Sequence, residues 1–413
     1  MSPKSVGIDA MAFHGPECFI DMADLAVARG VEPAKYIKGL GQTAMAVPTP
    51  CEDTVSLAIA AGRKALDAFG IDPTQIGTLV VGTETGVDHS KPVATYVHEH
   101  LKLSSNCRSF ETKHACLGGT AGLTAAVDWI ASGRARGRKA LVVAADIARY
   151  GLNTPGEPTQ GAGAVAFVLS ENPRLLEVDL DIYGDYTRQV MDFWRPLYSK
   201  YAFADGHYSI NCYLDALAGS WSDAMGKPGA AAGMPIGNFD ACFYHVPFVK
   251  MAQKAHHRHW EAELGRAVAK EDTGLMAKIN ASFEQRVGPW LRLNSEVGNI
   301  YTGSLFLALM DYLRQVDAAR EGKAISLFAY GSGCGASMLL AKVAQGAAGF
   351  GTRLDPQADI DRRRRLDLAE YEAITRAGES VDGNDGPELD PSSWKLGAGV
   401  YYRGTRNHMR QYG

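Results

Sequence analysis

Residues Asn106 to Ala148 read NCRSFETKHACLGGTAGLTAAVDWIASGRARGRKALVVAADIA. The opening "NCRSFETK" is strand-like, and a glycine-bearing turn around Cys116 follows it. Over "GLTAAVDWIASGRA" the apolar residues recur at helical spacing, and "KALVVAADIA" is an apolar run of strand length. Strand, helix and strand in that order make a βαβ unit, whose parallel strands need cover on both faces.

Working outward, the same alternation continues. "TVSLAIAAGRKALDAFG" repeats its apolar residues as a helix does and stops at Gly70. "IGTLVVGTET" is a short buried strand ending in polar residues, "VATYVHEHLKL" a further helix, and "GAGAVAFVLS" another buried strand. The N-terminal "SVGIDAMAF" also reads as a strand. The second half is less regular. An aromatic-rich connection, "DFWRPLYSKYAFADGHYSINCYLDAL", runs into a helix, and "ACFYHVPF" is a strand with a histidine at its end. "KMAQKAHHRHWEAELGRAVAKED" is a long helix, "VGNIYTGSLFLALMDYLRQV" a turn into an apolar helix, and "AISLFAYGSGCGASMLLAKV" a strand, a glycine turn and more strand. Asn299 thus stands in a loose counterpart of the strand-turn-helix unit at Cys116. "GESVDGNDGPELDPSS" near the end reads as an exposed loop. The order predicts a layered α/β fold.

Composition narrows the class. The chain has 413 residues, 46% hydrophobic and 21% charged, with a formal net charge of −4. That balance suits a globular protein and gives no basic surface for general nucleic-acid binding. No stretch reaches the roughly 18 uninterrupted apolar residues of a membrane span. "MSPKSVGIDAMAFHG" lacks the charged-then-apolar layout of a secretory leader. Seven cysteines, odd in number, widely spaced and without a C-x-x-C pair, argue against a disulfide framework or a zinc finger. A reducing, cytoplasmic setting is the expectation. No metal is expected either, because the histidines of "HHRH" and "YVHEHL" diverge around their helices with no acid or cysteine to complete a site.

Several residues could carry chemistry. Cys116 is either a small buried thiol in a glycine-rich turn or a nucleophile at a helix start, where the dipole and free N–H groups favour thiolate. Glu84 is either a surface acid or a desolvated general base at a strand end. His245 stands where a strand meets a loop, where a lone histidine is more often a satisfied core or surface residue. Asn299 is either a helix cap or a polar contact. Gly331 and Ser332 in "YGSG" are either a plain turn or a wall of the site. Lys250 and Lys254, with His256, His257, Arg258 and His259, make either a solvated face or a basic strip for phosphate or an acidic carrier. "DRRRR" (Arg362 to Arg365) is expected to be neutralised by nearby acids. A nucleophile, a base, a histidine and an asparagine, all at strand ends or helix starts, point together to covalent catalysis.

The chain resembles the 3-hydroxy-3-methylglutaryl-CoA synthases among the thiolase-like condensing enzymes. The resemblance runs nearly the full length. It is carried by "VGIDAM", "GLGQTAMAVPTPCEDTVSLA", "GTETGVD", "ATYVHEHL", "KHAC", "VVAADIARY", "PTQGAGAVAFVL", "DGHYSINCYLDAL", "FYHVPFVKMAQK", "VGNIYTGSLFLAL" and "FAYGSG". "NCRSFETKHAC", "VMDFWRP", "YGSGCGASM" and "DRRRRLDLAEYE" are most similar to the branch that installs β-branches in polyketide assembly lines. The resemblance implies a five-layer αβαβα fold of two pseudo-symmetric halves, 1–172 and 173–413, and a homodimer. It implies Cys116 as acyl-accepting nucleophile, Glu84 as acid/base and His245 at the acceptor's carbonyl oxygen. It implies substrate contacts from Asn299, Gly331, Ser332, Lys250, Lys254, Leu117 and Asp205. No tightly bound cofactor is implied: coenzyme A or the phosphopantetheine arm of a carrier protein is the substrate's handle. The partners it implies are a donor and an acceptor acyl carrier protein.

One position departs from the family. Leu117 stands where the family has a tyrosine after the nucleophile. This is either a tolerated exchange of apolar bodies or a reshaped donor pocket that admits propionyl in place of acetyl. The leading expectation is condensation of a Cys-bound acetyl unit with the β-ketone of a carrier-bound polyketide. The alternative is the primary-metabolism enzyme that uses acetyl-CoA and acetoacetyl-CoA. A decarboxylative ketosynthase needs no glutamate base, so Glu84 speaks against it, and a mere binder of acylated carrier needs none of these residues.

Overall fold

A computed structural model of the chain describes residues 5–230, 235–381 and 385–413. The fold is α/β and thiolase-like, around one nine-stranded mixed sheet. Its strands are β1 (Val6–His14), β2 (Ile76–Gly82), β3 (Arg108–Thr112), β4 (Lys139–Ala148), β5 (Gly161–Glu171), β6 (Leu176–Thr187), β7 (Ala241–Tyr244), β8 (Ala324–Gly331) and β9 (Gly335–Val343). Their spatial order is β7-β8-β9-β6-β1-β5-β4-β2-β3. β1 pairs antiparallel with β5 on one side and β6 on the other, so it joins the strands of the two halves into one sheet. The central strands β2, β4 and β5 are buried nearly throughout, which explains their unbroken apolar runs.

Register places the chemistry. β2 lies parallel to both β3 and β4, with Gly82 level with Thr112 on one side and Ala144 on the other. β2 and β3 therefore leave the sheet side by side, carrying Glu84 and Cys116 out next to Asp146, which stays in β4 paired with Gly163 of β5. Helix α1 (Thr54–Ala68) packs on β1, β4 and β5. A reciprocal cap begins it: Asp53 accepts from the Ser56 N–H while Ser56 Oγ accepts from the Asp53 N–H, both at 2.9 Å. Helix α2 (Gly118–Ala131) lies against β2 and β4. It approaches so closely that a Cβ on Gly82 would stand 2.4 Å from the Gly119 nitrogen, so only glycine fits there.

In the second half, helix α3 (Gly206–Met225) covers β6 and β9, and helix α4 (Val249–Leu264) packs against α3 and β7. Asn299 follows the short helix Arg292–Val297 rather than a strand, so the expected counterpart of the Cys116 unit is a helix-turn-helix. The predicted late loop begins later than expected. Gly378 to Ser380 close the helix Leu368–Ser380, residues 382–384 lie outside the described ones, and most of the stretch beyond is exposed. Among the described residues no helix is long and apolar enough to cross a membrane.

Candidate functional site

The Cys116 turn is held open by backbone geometry. Ala115 adopts φ +42°, an uncommon left-handed conformation for a residue with a side chain, and the Leu117 N–H closes onto the His114 carbonyl at 2.9 Å. This projects the thiol away from the sheet, two residues before α2 starts. Cys116 Sγ stands 3.5 Å from Glu84 Oε1, so the expected nucleophile and base share one site.

The proton inventory differs from expectation. Burial, then the charges of Glu84 and Asp146, push the Cys116 thiol well above its ordinary range. A helix start was expected to favour thiolate, but desolvation among acids outweighs the dipole. Burial and the neighbouring Asp146 also push Glu84 up, while Arg195 pulls it down. Arg195 donates to the Glu84 backbone carbonyl, and its Nη2 lies 3.9 Å from Glu84 Oε2.

Asp146 anchors this corner. Its Oδ1 accepts from the Thr83 and Thr85 hydroxyls at 2.8 and 2.7 Å and from the Glu84 N–H at 2.9 Å. Its Oδ2 accepts from the Thr302 N–H at 3.2 Å, tying in the turn before the helix Ser304–Leu313. Asp192 anchors the opposite wall. It accepts from the Tyr330 hydroxyl at 2.6 Å, the Gly333 N–H at 2.8 Å and the Ser209 hydroxyl at 3.1 Å. Gly331 and Ser332 thereby sit against the nucleophile turn: a Cβ on Gly331 would meet the His114 carbonyl oxygen at 2.2 Å and the Leu117 Cβ at 2.8 Å. Leu117 is buried there.

His245 is buried at the end of β7, and burial pushes its imidazole down to about 3. It is neutral, and its Nδ1 finds no hydrogen-bond partner among the described residues. It connects to the nucleophile turn through rings: Tyr213 lies 6.3 Å from His245 and 5.2 Å from Tyr330, whose hydroxyl reaches Asp192. Asn299 is buried and caps its own turn, accepting from the Tyr301 N–H at 2.8 Å and the Ser304 hydroxyl at 3.1 Å. Tyr150 and Tyr301 face each other edge to face at 6.4 Å beside it.

The outer residues sort differently. Lys250 and Lys254 are exposed on α4. His256 and His259, expected on the same basic strip, instead point into the core, where each Nδ1 lies 2.9 Å from the Tyr244 hydroxyl. Burial pushes both below the ordinary histidine range, so neither adds charge to the strip. Asp205 is exposed and caps α3, accepting from the Tyr208 N–H at 3.1 Å. Three of the "DRRRR" arginines are paired with acids as expected, Arg362 with Glu17 and Asp359, Arg364 with Glu370 and Arg365 with Asp24, whereas among the described residues Arg363 donates only to the Ile360 and Glu296 backbone carbonyls. Asp146, Asp192, Arg195 and Tyr150 escaped notice as single residues. The signal for Asp146 was a lone acid inside the apolar run "ALVVAADIA".

The likeness to known proteins agrees with this geometry. Residues 2–173 match the profile of hydroxymethylglutaryl-coenzyme A synthase N terminal, and 176–272 with 261–413 match its C terminal. A hydroxymethylglutaryl-CoA synthase of Enterococcus faecalis is 37% identical over 373 residues, 90% of this chain and 91% of that one. Among solved structures, MvaS in complex with 3-hydroxy-3-methylglutaryl coenzyme A superposes with a TM-score of 0.92 at 45% identity over 99% of both chains. The HMG synthase of the curacin biosynthetic pathway, in complex with acetyl donor-ACP, superposes at 0.89 with 31% identity over 99% of both. The chain belongs to the hydroxymethylglutaryl-CoA synthase family, enzymes that transfer and condense acyl groups.

Proposed function

We propose that this chain condenses an acetyl unit held on Cys116 with the β-carbonyl of a β-ketoacyl thioester and releases a 3-hydroxy-3-methylglutaryl thioester. The observation that carries the reading is the part-buried 3.5 Å approach of Cys116 Sγ to Glu84 Oε1. Cys116 is a thiol at rest, so acyl transfer needs a base: Glu84 takes the thiol proton as the new C–S bond forms and passes it to the handle's sulfur as the old C–S bond breaks and the free thiol leaves. Glu84 then removes a proton from the thioester's methyl group, while backbone N–H groups of the Cys116 and Ser332 turns stabilise the enolate oxygen. The carbanion attacks the β-carbonyl. Neutral His245 donates a hydrogen bond to the alkoxide that forms, a use that fits an unpartnered buried nitrogen, and the proton that Glu84 took from the methyl group ends on that oxygen as the new hydroxyl. Water hydrolyses the Cys116 thioester and restores the thiol. Asn299, Gly331 and Ser332 line this chamber. Lys250 and Lys254 attract the phosphates of the substrate's handle, and Asp205 sits at the rim.

Coenzyme A is the handle we favour, because the MvaS structure holding the product as its coenzyme A ester is 45% identical, against 31% for the curacin enzyme. A second reading puts the donor on an acyl carrier protein. It draws on the complete superposition with the curacin enzyme, whose title names an acetyl donor-ACP. Intact-mass spectrometry of the purified chain decides both points. Acetyl-CoA should acetylate the wild type and leave Cys116→Ser unmodified. No adduct from either acetyl-CoA or acetyl carrier protein sinks the reading, and an adduct only from carrier protein selects the second. Propionyl donors tested alongside report on Leu117: turnover of propionyl above acetyl marks a reshaped donor pocket, and equal or better acetyl turnover removes that idea.

A further inference from the structure

Among the described residues, two guanidinium groups at the site have no anion within hydrogen-bond length. The Nη2 of Arg195 lies 3.9 Å from Glu84 Oε2, beyond hydrogen-bond length, and its firm contact is to a neutral carbonyl. Arg149 has no hydrogen bond or ion pair among the described residues. Its neighbours pack on the segment that carries Arg195. The Tyr150 ring lies 6.2 Å from Phe193, and a Cβ on Gly151 would be 3.3 Å from the Tyr201 ring. Burial and the like charge of Arg195 push the Arg149 guanidinium down.

The acids nearby are engaged elsewhere. Asp146 holds threonine hydroxyls and backbone N–H groups, and Asp192 holds Tyr330, Gly333 and Ser209. Asp53 is taken by Arg410 and Tyr412, and Glu379 makes neither a hydrogen bond nor an ion pair to Arg149. Two part-buried cations with no acid hydrogen-bonded to either leave a place for a mobile anion.

The reaction proposed above makes one. Acetyl and β-ketoacyl groups carry no charge near their reacting carbons. In the last step, water oxygen bonds to the acyl carbon, the C–S bond breaks, and the sulfur leaves with a proton. The acid formed loses its proton to Glu84 and becomes a carboxylate. Glu84 presents Oε1 to the sulfur and Oε2 to Arg195, so this anion appears one carboxylate's width from the guanidinium. The geometry points to Arg195, supported by Arg149, as a seat for the carboxylate of the hydrolysed product, distinct from any contact to the substrates. A planar guanidinium accepts a carboxylate with two parallel hydrogen bonds, which an ammonium cannot do. The inference rests on the proposed reaction.

The test compares ligands that differ by this carboxylate. In Arg195→Gln, the inhibition constant of 3-hydroxy-3-methylglutaryl-CoA should rise at least tenfold, while the KM for acetoacetyl-CoA stays within about threefold. Arg195→Lys should fall between, and Arg149→Gln should move the same constant less. If both constants rise together, the guanidinium reads the coenzyme A phosphates and the inference fails. It fails equally if the inhibition constant is unmoved and only the pH profile shifts. Should Arg195→Gln not fold, wild-type protein decides: it should bind the product at least tenfold more tightly than the carboxamide analogue, and equal binding overturns the seat. Wild type that acquires no acetyl group on Cys116 removes the proposed reaction before these constants are measured.

Discussion

Thr54 donates its hydroxyl proton to the Thr85 carbonyl at 2.8 Å and stands 3.1 Å from the Thr85 hydroxyl. Thr85 passes the contact on to Asp146 Oδ1 at 2.7 Å, the same oxygen that accepts the Glu84 N–H. Upstream, Asp53 accepts from Tyr412 at 2.6 Å and Arg410 at 2.8 Å. A polar chain thus runs from the hairpin Tyr402–Tyr412 through the start of α1 to the general base.

Thr54→Val keeps the side chain's shape and removes the donor. It should lower kcat for condensation about tenfold, and the unpaired Thr85 groups should cost about 1–3 kcal/mol of stability. Thr54→Ser should restore the rate. A valine variant with wild-type kcat and only a lower melting temperature would reduce Thr54 to a structural role.

The pH profile follows from Glu84. Burial beside Asp146 raises its pKa, so below that value Glu84 holds its proton and cannot act as base. Condensation should increase as pH rises through a limb above the ordinary glutamate range. Arg195 pulls this pKa down, so Arg195→Gln should move the limb to higher pH. A limb at the ordinary glutamate position would contradict the desolvated site. Rates measured from pH 5 to 9.5 locate it.

His245, pushed down to about 3, is neutral throughout that range. The profile should therefore carry no imidazole ionisation between pH 5 and 8. His245→Ala should reduce condensation by about 10²–10⁴ while Cys116 still accepts acetyl from the donor. Loss of acetylation in that variant would place His245 in the first step instead.

Far from the site, Arg29 forms a bidentate pair with Glu157, both contacts 2.8 Å, with Arg29 part-buried and Glu157 buried. It clamps the helix Met22–Ala28, and its third contact reaches Glu372 on Leu368–Ser380. Arg29→Met should lose about 3–5 kcal/mol in chemical denaturation, because Glu157 is left buried and unpaired. Replacing Glu157 by Met as well should recover much of that loss.

The local readings that succeeded rest on periodicity and glycine. The strand, turn and helix around Cys116 could be seen in the apolar spacing, and Glu84 stood out as an acid closing a buried strand. What escaped was set by register and tertiary contact. Asp146 matters because β4 lies level with β2, and Asp192 because its loop meets the Gly333 turn, neither of which a single segment reveals. Helical spacing puts His256 on the face of Met251, Ala252 and Ala255, but the polar run from His256 to His259 hid that face. The thiolate expectation failed for the same reason: the helix start is local, whereas the acids that oppose ionisation arrive from other strands.

The shared register of β2, β3 and β4 makes this chemistry intolerant of insertions. Strand residues alternate between faces, so one residue added to β2 would turn Glu84's approach away from the sulfur and leave Asp146 facing a stranger. Divergence in this protein is then expected to accumulate in loops and side chains, with the lengths of these three strands held fixed.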